Sequence, residues 1–381
     1  MPISFTRRLD ALPLLDHHCH SVSGADLDRA GFERYLTEAR SLDPALSTFD
    51  TPLGAGIRRW CAPVLDLRPH ADADAYITRR RELGADETNR RFLSAARVSD
   101  RFVDSGYRAD ELLGDDALAQ ASGNQVHEVL RLEALVESVA RGCGPEDFPG
   151  AFTAALSEHA TGAVALKSVV AYRGGFDFCP EPPSPDEVLA AARRWWQEAG
   201  ASGQWRLTDP VLLRFVLYAA ADLGHRLQLH VGLGDPDVRL HRADPSLLAD
   251  FLEAIQPTGT TVMLLHCWPY HRQAAYLAAV YPHVYLDVGL ALNYVGPSAG
   301  TVLAEAMELA PYQKLLYSSD GFGLAELHYL GALRFRRALA GVLDRWVAAG
   351  EVGGDYASWI AHAVGAENAR RVYGLDKPDQ P

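Results

Sequence analysis

Cysteine is scarce and unpaired in this chain: five residues (Cys19, Cys61, Cys143, Cys179, Cys267) are scattered through 381, with no Cys-x-x-Cys. An odd, dispersed set excludes a closed disulfide framework and a zinc ribbon, and it fits reduced thiols in a cytoplasm. Positive charge is in deficit as well, with 36 Lys and Arg against 49 Asp and Glu and a formal net charge of -13. That balance argues against nucleic acid as a partner. Apolar runs stay well short of the roughly 18 residues needed to cross a bilayer, and none follows the opening Met1-Pro-Ile-Ser-Phe-Thr-Arg-Arg8. We therefore expect a soluble, cytoplasmic protein with neither a membrane span nor a secretory leader. Internal repeats and low-complexity tracts are absent too.

What is present is enough apolar material, 48% of residues, to bury a sizeable core. The length suits one large barrel or two ordinary domains, and the order of elements favours a single domain over 1–381. The apolar run Leu12-Pro-Leu-Leu15 ends abruptly in Asp16-His17-His18-Cys19-His20. Residues 21–98 then read as a helical insertion, with amphipathic spacing at Phe32, Tyr35, Leu36 and Ala39 and a charged helix over 76–93. Further short apolar runs follow at 101–104, 126–133, 163–171, 226–231, 260–266, 283–288 and 314–320, most of them followed by a helical segment. Helices are expected near 148–160, 187–199, from Pro210 to Gly224, over 273–280 and over 324–348, and the tail 376–381 should fray. Eight strands alternating with helices predict an α/β fold, the TIM (β/α)8 barrel, whose reactive groups gather where the strands end.

The unusual polar residues fall at those ends. His18 and His20 lie two apart at the end of the first strand, Lys167 sits on the fourth, His230 on the fifth, His266 on the sixth, and Asp320 ends the eighth. Any single one could be a satisfied buried polar group. All six at one rim point instead to a metal site, and imidazoles with a carboxylate suit zinc or a similar divalent ion with an open position for water. Nearby, Tyr172 and Arg173 could bind substrate, the latter through a guanidinium fork, and Trp268, Tyr270 and His271 could line the pocket. The competing readings are surface ion pairing for Arg173 and loop packing for Trp268. Cys19 and Cys267 read as core fillers, and Asp287 as at most a supporting group. The arginines at 79–81 and 90–91 could attract acidic substrates, although a solvated helix face explains them more simply.

This pattern resembles the amidohydrolase superfamily, in particular the branch labelled amidohydrolase family 2, over nearly the whole chain. The family's opening Asp-x-His-x-His stands here as Asp16 to His20, its strand-five and strand-six histidines match His230 and His266, and its strand-eight aspartate matches Asp320. The stretch Gly365-Ala-Glu-Asn-Ala-Arg-Arg-Val-Tyr-Gly-Leu375 is similar to the family's C-terminal helix. Three segments, beginning at Leu166, Leu229 and Tyr317, are most similar to the amidohydrolase-like domain fused to some nodulin-related and glutamine-synthetase-like proteins. The resemblance implies a metal-dependent hydrolase acting on an amide, other C–N or ester bond of a small molecule. His18, His20 and His230 would be ligands, Asp320 the general base and acid, and His266 a second-metal ligand or oxyanion donor.

One or two ions are implied, zinc first, with manganese or iron as alternatives. In two-metal members a strand-four lysine is carboxylated and bridges the ions, which Lys167 could do. The other reading pairs Lys167 with a carboxylate such as Glu133. Two further functions stay open: a one-metal decarboxylase of the same branch, and a silent barrel used for binding. A homodimer is the commonest assembly to expect.

Overall fold

The computed structural model describes residues 9–41, 43 and 45–375, so the expectation for 376–381 lies outside the described residues. Seven strands, β1 (Leu14–Cys19), β2 (Val98–Asp104), β3 (Gln125–Arg131), β4 (Ala165–Ser168), β5 (Arg226–His230), β6 (Thr261–Leu265) and β7 (Val284–Leu286), form one sheet in chain order. Every neighbouring pair is parallel. The sheet belongs to the TIM-barrel type: its strands are brief and parallel, most of them buried on both faces, with helices in the connections.

Period-two alternation decides which side chains reach the interior. Leu227 and Leu229 pack outward in the main core, as do Val262 and Leu264, whereas Leu15, Phe102, Val129, Ala165, Met263, Leu265 and Leu316 fill the inside. Two residues beyond Phe102, Val129 and Ala165 stand Asp104, Arg131 and Lys167. The same step from Gln228 reaches His230. The polar rung at the carboxyl ends is thus the next layer of the apolar interior.

The eighth strand expected over 314–320 is not a regular strand. Leu315 makes only an isolated parallel bridge to Leu286. Beyond it, the Leu316 N–H donates to Leu286, Tyr317 accepts from His17 N, and Asp320 N donates to His18 O. The segment therefore joins β7 to β1 without a continuous ladder. The reason lies in side chains that take backbone donors: Asp16 accepts from Ser319 N, and Ser319 Oγ accepts from Gly321 N. Asp320 itself has φ of 46°, a left-handed conformation that ends an extended run.

Between β1 and β2 lie the helices Arg29–Glu33, Pro52–Gly56 and Ala73–Ala95, with short 3-10 turns. The first is shorter than its amphipathic spacing suggests and passes into a 3-10 turn at Arg34–Leu36. Phe32, Phe49 and Tyr76 form a small aromatic cluster there. Within it Arg80 is buried and pairs with Glu326 at 2.9 Å, tying this region to the helix Ala325–Ala349. The neighbouring arginines are also occupied, Arg79 and Arg91 on Asp66 and Arg90 on Glu87. At the other end of the chain the helix Asn368–Tyr373 sends Tyr373 into the barrel, its ring 4.6 Å from Phe102.

Candidate metal centre

β1 brings its imidazoles inward by breaking register. Its pairing with β2 is irregular between Asp16 and Cys19, so the adjacent His17 and His18 both reach interior partners. His17 meets Asp287 through Nε2 at 3.0 Å and the Tyr373 hydroxyl through Nδ1 at 2.9 Å. His18 Nδ1 lies 2.8 Å from Gln228 Oε1. The side chains of His18 and His20 stand edge to face, with ring centroids 5.4 Å apart.

Hydrogen bonds fix three tautomers. Gln228 Nε2 donates to the His17 carbonyl, so its oxygen faces His18 and Nδ1 of that ring must carry the proton. His20 Nδ1 likewise donates to the Asp104 carbonyl at 2.9 Å, and His230 Nε2 donates to the Leu233 carbonyl at 2.8 Å. Because a carbonyl can only accept, the lone pairs remain on Nε2 of His18, Nε2 of His20 and Nδ1 of His230. Burial also holds all three rings neutral, taking His20 down to about 4 and the other two well below their usual range.

Asp320 stands among these lone pairs. Its Oδ1 is 3.2 Å from His18 Nε2 and 3.7 Å from His20 Nε2, and its Oδ2 is 3.5 Å from His266 Nε2. With neutral rings, the first two are not ion pairs but acceptors facing an acceptor. Asp320 Oδ1 is buried without a hydrogen-bond partner, as is His266 Nδ1. A cation among these atoms would resolve the conflict, and the donor set suits a divalent metal. Ligand atoms of His18, His266 and Asp320 lie within 4.8 Å of one another, as do those of His18, His20 and Asp104. His230 is in neither group, although its ring packs 4.8 Å from that of His266.

Lys167 is buried, and its Nζ lies 3.3 Å from His18 Nε2. Burial lowers its amine to about 8. Glu133, the carboxylate offered as its structural partner, instead accepts from Ser168 Oγ and Val169 N. Burial raises Asp320 above the ordinary carboxylate range, which makes it a better proton acceptor. Beneath the rings Asp287 receives the backbone N–H of His266 at 3.0 Å as well as the His17 contact.

A cavity of about 690 Å³ opens over these groups and reaches His18, His20, Lys167, His230, His266 and Asp320. Tyr172 lines it with its ring 4.5 Å from His230. Arg173 also borders it, but its guanidinium is held by Glu137 at 3.1 Å. Trp268 does not line the cavity and packs on the main core instead. Tyr270 and His271 are also turned away, bonded to Leu240 O and Glu305. Cys19 and Cys267 are buried in apolar clusters. At Gly232, with φ of 75°, a Cβ would collide with the Trp268 carbonyl, which explains a glycine just beyond His230.

Sequence reasoning missed several groups. Asp104 ends β2 and is clamped by Arg131 through both oxygens, with Nε 3.1 Å from Oδ1 and Nη2 2.6 Å from Oδ2. Asp104 ends the apolar run 101–104, the signal that identified His230, so the same rule could have found it, whereas Arg131 lies inside the run 126–133. Glu38, bonded by the Tyr294 hydroxyl at 2.9 Å, comes from the region between β1 and β2 and carried no such signal.

Known proteins match this chain in sequence and fold. The family model described as Amidohydrolase matches residues 146–375. Protein fluG of Emericella nidulans is 26% identical over 405 residues, covering 96% of this chain and 46% of that protein, so the chain spans about half the length of that curated relative. A solved structure from Lactobacillus casei, named as a metal-dependent hydrolase, superposes with a TM-score of 0.86 at 28% identity, covering 99% of both chains. The uronate isomerase of Bacillus halodurans shares the fold, with a TM-score of 0.66 at 15% identity over 97% of this chain and 95% of its own.

Proposed function

Because the chain belongs to the amidohydrolase family, we propose that it is a metal-dependent hydrolase acting on an amide, other C–N or ester bond of a small polar molecule. What carries this reading is the trio His18, His20 and His230, whose N–H groups are committed to oxygens; the free nitrogens of His18 and His20 face Asp320, and all three rings line one cavity. Three neutral imidazoles and an unpartnered carboxylate oxygen are a donor set for zinc, with manganese or iron as alternatives. Such an ion would supply a water acidified towards neutrality and polarisation of the substrate carbonyl.

The protein's own groups then handle protons and position. Asp320 Oδ1 accepts the proton of the attacking water and returns it to the leaving nitrogen or oxygen. His266, with Nε2 3.5 Å from Asp320 Oδ2, donates to the developing oxyanion or serves as a ligand to a second ion. Lys167 is placed for either of two roles. With its amine lowered to about 8, an appreciable neutral fraction at mildly alkaline pH can add to carbon dioxide, releasing a proton and leaving a carbamate whose oxygens would help to hold a second ion. Unmodified, it directs a positive charge at substrate. The residues between β1 and β2 supply Arg34, Tyr35, Thr37 and Glu38 to the cavity wall, in keeping with a lid over the strand ends.

Metal analysis of the purified protein together with Asp320→Asn tests the proposal. We expect at least one divalent ion per chain, and for the variant a loss of about 100-fold or more in turnover on any substrate found. A protein that cannot be loaded with metal, or a variant with full activity, would sink it. About two ions, falling in Lys167→Ala, would favour the carbamate.

A further inference from the structure

Two carboxylates of the cavity wall take part neither in the hydrolytic chemistry nor in the ion pairs of the wall. Its arginines are largely engaged: Arg40 and Arg206 on Asp237, Arg108 on Glu111, Arg131 on Asp104 and Arg173 on Glu137. Arg34 is exposed at the mouth. Two wall carboxylates, Glu38 and Asp235, have no ion-pair partner among the described residues. Glu38 has only the Tyr294 hydroxyl, and Asp235 accepts the backbone N–H of Asp237. Aromatic rings line the same cavity: Tyr35, Tyr172 and Tyr294, together with Tyr107 and Phe322, which already carry the guanidiniums of Arg131 and Arg108.

From this arrangement we infer that the substrate carries a cationic nitrogen, recognised by Glu38 against the aromatic wall, with Asp235 adding to the field. The inference rests on the hydrolase reading and names the class of molecule that site takes. A carboxylate in a partly closed cavity without a counter-charge is costly, and a ligand ammonium or guanidinium removes that cost. The faces of the tyrosine rings that carry no arginine attract the same ligand through their quadrupoles. Burial, with repulsion from Asp320 and Asp235 added, raises Glu38 to about 7, and a ligand cation beside it would hold the carboxylate ionised. An anionic substrate group would meet Glu38 unfavourably and would find most arginines already paired.

Three hydroxamates of equal chain length test the inference, because the hydroxamate end reports on the metal and the tail on the wall. We would titrate 6-aminohexanohydroxamate, hexanohydroxamate and the monohydroxamate of adipic acid into zinc-loaded protein by calorimetry. The ammonium tail should bind about tenfold or more tighter than the methyl tail, and the carboxylate tail weakest. In Glu38→Gln the ammonium advantage should disappear while hexanohydroxamate binds as before. Equal affinities in the wild type, a preference for the carboxylate tail, or an ammonium advantage that survives in Glu38→Gln would overturn the inference and leave the hydrolase reading standing. Failure of all three probes to bind would instead remove the metal-site reading, and the inference with it. The wild-type comparison alone decides the charge class should Glu38→Gln not fold.

Discussion

Gln228 sets the tautomer of His18. Its amide nitrogen donates both to the His17 carbonyl and to the Tyr373 hydroxyl, each at 2.8–2.9 Å, which leaves only its oxygen to meet His18 Nδ1. Replacing this residue with leucine keeps a buried side chain of similar size and removes the constraint. Gln228→Leu should weaken metal binding about 10- to 100-fold, as loss of a partner behind a ligand histidine does elsewhere. Competition with a chromogenic chelator measures it, and an unchanged affinity would show that packing alone orients the ring.

Arg131 and Asp104 form a buried pair at the ends of β3 and β2. Removing the cation leaves the fully buried Asp104 carboxylate without its partner. Arg131→Met should therefore destabilise the protein by about 3–5 kcal/mol, read from urea unfolding. The double variant Arg131→Met with Asp104→Leu should recover part of that loss.

Glu38 gives a pH dependence of stability with a definite sign. Its folded value of about 7 lies above that of an unfolded glutamate, so between those values the folded state holds more protons. Its contribution to stability is greatest at acid pH and falls as pH rises towards 7, then levels. The groups acting on it are the Tyr294 hydroxyl and the charges of Asp320 and Asp235. Glu38→Gln should flatten that segment of the profile and raise the melting temperature at pH 8 relative to the wild type. A parallel profile would show that the carboxyl is solvated.

Metal removal should lower stability by mass action. An ion present at 100 times its dissociation constant contributes about 2.7 kcal/mol. Dialysis against a chelator should depress the melting temperature, and zinc should restore it. Asp320→Asn should show a smaller zinc-dependent shift than the wild type.

Much of the fold was legible because it rests on local pattern. Short apolar runs ending in polar groups located seven parallel strands, and the proline and aspartate at 209–210 marked a helix start that the structure caps as expected. The eighth run misled, since its sequence is strand-like while Asp16 and Ser319 divert its hydrogen bonds. No local pattern announces a competition between residues three hundred positions apart.

The sequence by itself determined the strand order, the placement of His18, His20, Lys167, His230 and His266 on or just beyond strands, and the family that these residues and Asp320 resemble. Alternation along a strand is set by backbone geometry, so it can be read from residue order alone. Tertiary structure decided what those groups experience. It turned Trp268 away from the cavity, committed Arg173 to Glu137, gave Glu133 to Ser168 rather than Lys167, and put Gln228 and Tyr373 behind the histidines. Protonation, tautomer and pairing depend on distances across the barrel, and those exist only once every strand has closed around the same interior.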